Sequence, residues 1–97
     1  MIAVRIHAGK EDMLLAACDE DLVGKEFREG RMRLKVSREF YMGELVSEET
    51  LVERLKSVSV INLVGERAVA VAVEQGLVDP ECVLIIDGIK HAQAVKL

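Results

Sequence analysis

The sequence predicts an α+β domain: a mostly antiparallel sheet with two main helices packed on one side and β-hairpins at both ends of the chain. Three observations carry this. Aliphatic residues alternate with polar ones near the N-terminus and again at residues 31 to 36, the period of a half-buried strand. Two helical patterns sit together in the middle of the chain, so strands come first, then helices, then strands. About half of the 97 residues are apolar but only 3% are aromatic, so the core must be Val, Leu, Ile and Ala, and the β-branched members favour a sheet.

Met1 to Ala8 alternates, with Ile2, Val4 and Ile6 pointing one way and Ala3, Arg5 and His7 the other. This is a strand with one face on the core. Gly9 to Asp12 is a polar turn. Met13 to Cys18 is a continuous apolar run, the pattern of a strand covered on both faces. Asp19-Glu20-Asp21 ends it, and Asp19 is placed to cap a short helical turn through Leu22 and Val23. Gly24 releases the chain. From Arg31 to Val36 the cations Arg31, Arg33 and Lys35 share one face, and Met32, Leu34 and Val36 the other, with Gly30 as the flanking turn.

Ser47 opens the clearest helix, expected from Glu48 to Lys56. Its hydroxyl can accept from a free backbone N–H. Glu48 and Glu49 place negative charge at the positive end of the helix dipole. Val46 and Leu51 have hydrophobic-staple spacing. Val60 to Val64 reads equally as strand or linker. A second helix is expected from Glu66 to Gln75, with Gly76 at the left-handed cap position and Leu77 folding back. Asp79-Pro80-Glu81 fits a capped single turn. Cys82 to Ile86 reads as a buried strand, Asp87-Gly88 as a hairpin turn, and Ile89 to Leu97 as the last strand. Residues 1–97 form one domain, with no linker, repeat or low-complexity segment.

A net charge of −4 argues against a protein that is basic throughout, as general nucleic-acid binders are. No signal peptide or membrane span is evident, and a cytoplasmic location is expected, without membrane association. Many Glu, Lys and Arg with only three amide side chains is a thermophile-like bias. Cys18 and Cys82 have no zinc spacing and read as buried small hydrophobes in a reducing compartment. Asp19, Glu20 and Asp21 lack a calcium-loop pattern and read as a solvated turn. The acids beside Cys18 make it a poor nucleophile. No catalytic residue, metal ligand or cofactor is assigned, and whether the chain is an enzyme is left open.

Two candidate sites stand out. Lys25 to Arg38 holds six basic residues against two acids. Arg28, Arg31, Arg33, Lys35 and Arg38 are the candidate RNA contacts, and Phe27, Phe40 and Tyr41 are placed to stack on bases. The alternative is an exposed strand face paired with neighbouring acids, protecting a sheet edge by its charge. The second site is a small-molecule or enzymatic pocket of Asn62, Gly65, Glu66, His91 and Gln93. There His91 can act as acid, base or ligand, while Gly65 permits close approach before a helix. The competing structural reading has Asn62 and Glu66 serving the helix start, with His91 and Gln93 hydrogen-bonded near the sheet edge. A third reading, a homodimer, has no heptad or other oligomerisation signature behind it.

The runs AACDEDLVGKEFREG, FYMGELV, INLVGERAV and DGIKHAQAVKL, in this order over nearly the whole chain, resemble the archaeal family called domain of unknown function 424. Members often read G-[VI]-P-H-A-Q in the last segment. This chain has Lys90 in place of that Pro, so it keeps His91 without the rigid turn before it. The matched positions are Cys18, Asp19, Gly24, Asn62, Gly65, Glu66, His91 and Gln93. The resemblance implies an uncharacterised conserved archaeal, cytoplasmic protein with translation-associated relatives, and it carries over no catalytic assignment for these residues. The reading taken forward is a non-enzymatic accessory protein that contacts RNA or a ribonucleoprotein through its basic strand.

Overall fold

The computed structural model describes residues 1–96; the expected end of the last strand at Leu97 lies outside them. Among the described residues eight strands form: β1 (Ile2–Ala8), β2 (Met13–Asp19), β3 (Glu26–Glu29), β4 (Met32–Lys35), β5 (Glu44–Val46), β6 (Val60–Val64), β7 (Leu84–Ile86) and β8 (Ile89–Val95). The helices are α1 (Arg38–Tyr41), α2 (Glu48–Leu55) and α3 (Glu66–Glu74). Glu20–Leu22 and Pro80–Cys82 are 3-10 turns.

The main sheet has the order β5-β1-β2-β6-β8-β7, and β3-β4 is a separate hairpin. Both terminal hairpins form, β1 with β2 and β7 with β8. Among the described residues only β2 and β6 pair in parallel, because the chain crosses over through α2 before entering β6. Val60–Val64 is thus a strand, and a central one. Its residues Ile61 and Leu63 are fully buried on one face and Val64 on the other.

One face of the sheet carries Ile2, Val4, Leu15, Ala17, Ile61, Leu63 and Ala92 against Leu51 and Leu55 of α2 and Ala68, Val69 and Ala72 of α3. Ser47 caps α2, its hydroxyl accepting from Thr50 N at 3.1 Å. Beyond α3, Leu77 N donates to Ala72 O and Gly76 N to Val73 O, with Gly76 at φ +73. Together these form the left-handed cap expected there.

The opposite face is covered as well. Ala3, Ala16, Cys18, Val64 and Ile86 pack under Leu34, Val36 and Tyr41 from the β3–β4 hairpin and α1. The first strand therefore buries Ala3 on the face expected to be polar. Residues 82–86 are a further correction. Cys82 closes the 3-10 turn and is exposed, and the strand begins only at Leu84, at the edge of the sheet, with Leu84 and Ile85 51% and 56% exposed. Both cysteines are free. An apolar run reads alike at the centre and at the edge of a sheet, because burial is decided by neighbouring strands. No helix among the described residues is long and apolar enough to cross a membrane.

Candidate functional site

The basic segment folds into the β3–β4 hairpin. Glu29 pairs with Met32 across the two-residue turn Gly30-Arg31, and Gly30 has φ +62, as expected for a glycine-first hairpin turn. Alternation then sends Phe27 and Leu34 inward. Glu26, Arg28, Arg33 and Lys35 point outward, with Arg28 opposite Arg33 and Glu26 opposite Lys35.

Glu26 ties two of these cations together. Arg33 Nη2 donates to Glu26 Oε2 at 2.9 Å, and Arg28 Nε to Glu26 Oε1 at 3.2 Å. These bonds, Arg33 first and then Arg28, hold the Glu26 carboxyl below the usual carboxylate range. Each guanidinium keeps further N–H donors facing solvent. The arrangement differs from a single row of Arg31, Arg33 and Lys35, since Arg31 sits in the turn and Arg28 enters from β3. Arg38 lies off the hairpin, in the first position of α1.

The neighbouring aromatics face elsewhere. Tyr41 is buried and donates its hydroxyl to Asn62 Oδ1 at 2.7 Å. Phe40 stacks on His7 with ring centroids 4.7 Å apart. Phe27 packs into the second core. Of the three rings expected to stack on bases, Tyr41 is buried in the core, and Phe27 and Phe40 are half-buried against it.

Of the five candidate pocket residues, the fold brings three to one face. Asn62 of β6 stands directly opposite Gln93 of β8, and His91 opposite Val64. His91 Nδ1 is 3.0 Å from the Leu63 carbonyl oxygen, and Gln93 Nε2 is 3.4 Å from His91 Nε2. Gly65 and Glu66 instead belong to the start of α3, although Gly65 N still donates to Lys90 O at 2.8 Å. Glu66 starts α3, where its carboxylate accepts from Lys90 Nζ at 3.0 Å. It lines a concavity of about 770 Å³ together with Met1, Asp19, Glu20, Asp21 and Arg67.

Gly65 answers to a different demand. Its φ is +107, and a Cβ there would lie 2.4 Å from Cγ of Asp19. The Asp19 carboxylate enters this gap and accepts from Arg67 N at 3.1 Å and Ala68 N at 2.9 Å. Asp19 therefore caps α3 from 48 residues away. It makes no side-chain cap on the turn that follows it, and Asn62 does not cap α3. Side-chain capping depends on which backbone N–H groups the fold brings near, which sequence adjacency alone does not give.

Cys18 is fully buried, and its thiol is pushed up to about 12 by burial first, then by Asp19 and Asp21. Its reading as an inert thiol stands. Sequence reasoning missed Cys82 as a surface group. Cys82 lies beside His91 and Gln93 in a cavity of about 310 Å³ also lined by Leu84 and Ala92. The signal that could have found it is the Asp79-Pro80 cap, which opens a turn that ends at Cys82 and so takes this residue out of the strand.

These features define a small α+β protein with a six-stranded mixed sheet, two helices on one face and a charged hairpin on the other. The chain belongs to the family described as protein of unknown function, DUF424, whose profile matches residues 6–97. It is similar to an uncharacterised conserved protein from Methanopyrus kandleri, known from a crystal structure. That similarity has a TM-score of 0.79 at 27% identity and covers 99% of this chain and 93% of the other. Among curated proteins no sequence matches.

Proposed function

We propose that the protein is a non-enzymatic accessory factor that contacts RNA, or the RNA of a ribonucleoprotein, through the outer face of the β3–β4 hairpin. The observation that carries this reading is the register: Arg28 and Arg33 stand directly opposite one another and are held side by side by one carboxylate. Lys35 continues the face and Arg31 stands at the turn. Guanidinium groups fixed in advance lose less freedom when they engage a phosphate, and their planar forks match its oxygens. With the aromatics facing the core, contact is to the sugar–phosphate backbone and follows shape rather than base identity. Translation-associated RNA is the first substrate to test, given the archaeal relatives.

The test is filter binding of archaeal ribosomal RNA across a salt series. Affinity should fall steeply with salt. Arg28→Glu together with Arg33→Glu should weaken binding by about tenfold or more and flatten the salt slope by about two contacts. Undiminished binding by that double variant, or none by the native chain, removes the reading.

A further inference from the structure

We propose that Cys82 and His91 form a two-donor site for a soft, closed-shell monovalent cation of the copper(I) type. This site is independent of the hairpin and of any RNA contact.

The backbone brings the donors together. Cys82 ends the 3-10 turn opened by Pro80, where its N–H donates to Asp79 O at 2.9 Å. Two residues later Leu84 pairs with His91. Cys82 and His91 thereby reach one small cavity at the edge of the sheet. The thiol is free and exposed.

His91 is set up as a donor. A carbonyl oxygen only accepts, so the 3.0 Å contact with Leu63 O places the ring proton on Nδ1. In the neutral ring the Nε2 lone pair is then left available. Gln93 meets it at a long 3.4 Å, a contact that an entering ion displaces at little cost. Metal-binding histidines characteristically donate their other ring N–H to a carbonyl or carboxylate, which fixes tautomer and orientation.

The number and softness of the donors select the ion. Among the described residues no cluster of three or more His, Cys, Asp or Glu is poised for a metal. Tetrahedral zinc and oxygen-seeking hard cations would lack ligands here. A thiolate is a soft donor and an imidazole suits copper, and a closed-shell monovalent ion is satisfied by two such donors in line. Leu84 and Ala92 in the lining offer no side-chain donor, and the side-chain oxygen there belongs to the neutral amide of Gln93, a harder donor than the thiolate. On binding, the Cys82 S–H bond breaks, its proton goes to solvent and the sulfur–metal bond forms. No electron is transferred.

The test is an anaerobic titration of the reduced full-length chain with copper(I) against a chromophoric copper(I) chelator. One equivalent should bind, with sulfur-to-metal charge-transfer absorption in the ultraviolet. Cys18→Ala should leave that binding intact. Cys82→Ser, at an exposed position, should abolish it, and His91→Phe should weaken it by more than about tenfold. Because His91→Phe also loses the bond to Leu63, the ¹⁵N shift of His91 Nε2 is followed in the unaltered protein, where it should move on adding one equivalent. No bound copper, binding that survives Cys82→Ser, or an unmoved Nε2 resonance would each overturn the site.

Discussion

At the scale of single residues, Asp19 and Gly65 are one device. A carboxylate only 8% exposed is kept inside by two backbone N–H groups of α3, and a glycine without a Cβ makes the approach feasible. Asp19→Ala should destabilise the protein by about 2–4 kcal/mol in urea denaturation, since it removes two charge-assisted bonds and leaves their donors unpaired. Gly65→Ala should cost more than about 2 kcal/mol, from the positive φ and from the carboxylate it meets. The two losses should not add. All three of the nearest atoms a Cβ would strike belong to the Asp19 side chain, so removing that side chain relieves the clash while the φ strain stays. A double-mutant cycle should show a coupling of about 1 kcal/mol or more.

At the scale of elements, α2 is secured at both ends by side chains. Ser47 holds its start, and Arg54 near its end grips both Glu44 oxygens, at 2.9 and 3.0 Å. That fork holds the Glu44 carboxyl below its usual range. Ser47→Ala should cost about 1 kcal/mol, read as a lowered melting temperature. The exposed fork should contribute little, and less at high salt. The β3–β4 hairpin is fastened at its turn, where Glu29 Oε1 accepts from Asp87 N at 2.8 Å. Changes to its outward arginines should therefore leave the unfolding midpoint nearly unchanged, so that a loss of the proposed RNA contact can be read apart from stability.

At the scale of the molecule, both cores share β2 and β6, so neither can come apart without exposing the other. Tyrosine fluorescence, reporting Tyr41 under the hairpin face, and helical circular dichroism, reporting α2 and α3 on the other, should give coincident unfolding curves. Alkaline pH should weaken the whole. The folded protein retains the Cys18 proton up to about 12, against an ordinary value of 9, and the Tyr41 proton up to about 12 against 10. In that window the unfolded chain releases protons that the folded chain keeps. Stability from this source is thus full below pH 9 and declines as the pH rises toward 12. The measurement is the denaturation midpoint across that range. In the same native protein Cys82 should alkylate rapidly and Cys18 only on unfolding.

Period-two alternation, the Ser47 cap, Gly76 and Asp87-Gly88 are local signals, each acting on the backbone within a few residues. They alone determined the α+β class, both terminal hairpins and the limits of α2 and α3 to within a residue. The sequence also singled out the arginines of the hairpin and the pair His91 and Gln93, since alternation assigns faces. What alternation cannot assign is what lies against a face or beside an edge. Only the tertiary structure decided that Val60–Val64 is central and Cys82–Ile86 peripheral, that the aromatics cover the second core, and that Asp19 serves a helix 48 residues on. Those outcomes depend on contacts between segments distant along the chain, and the free energy of such contacts is not written in any short stretch of it.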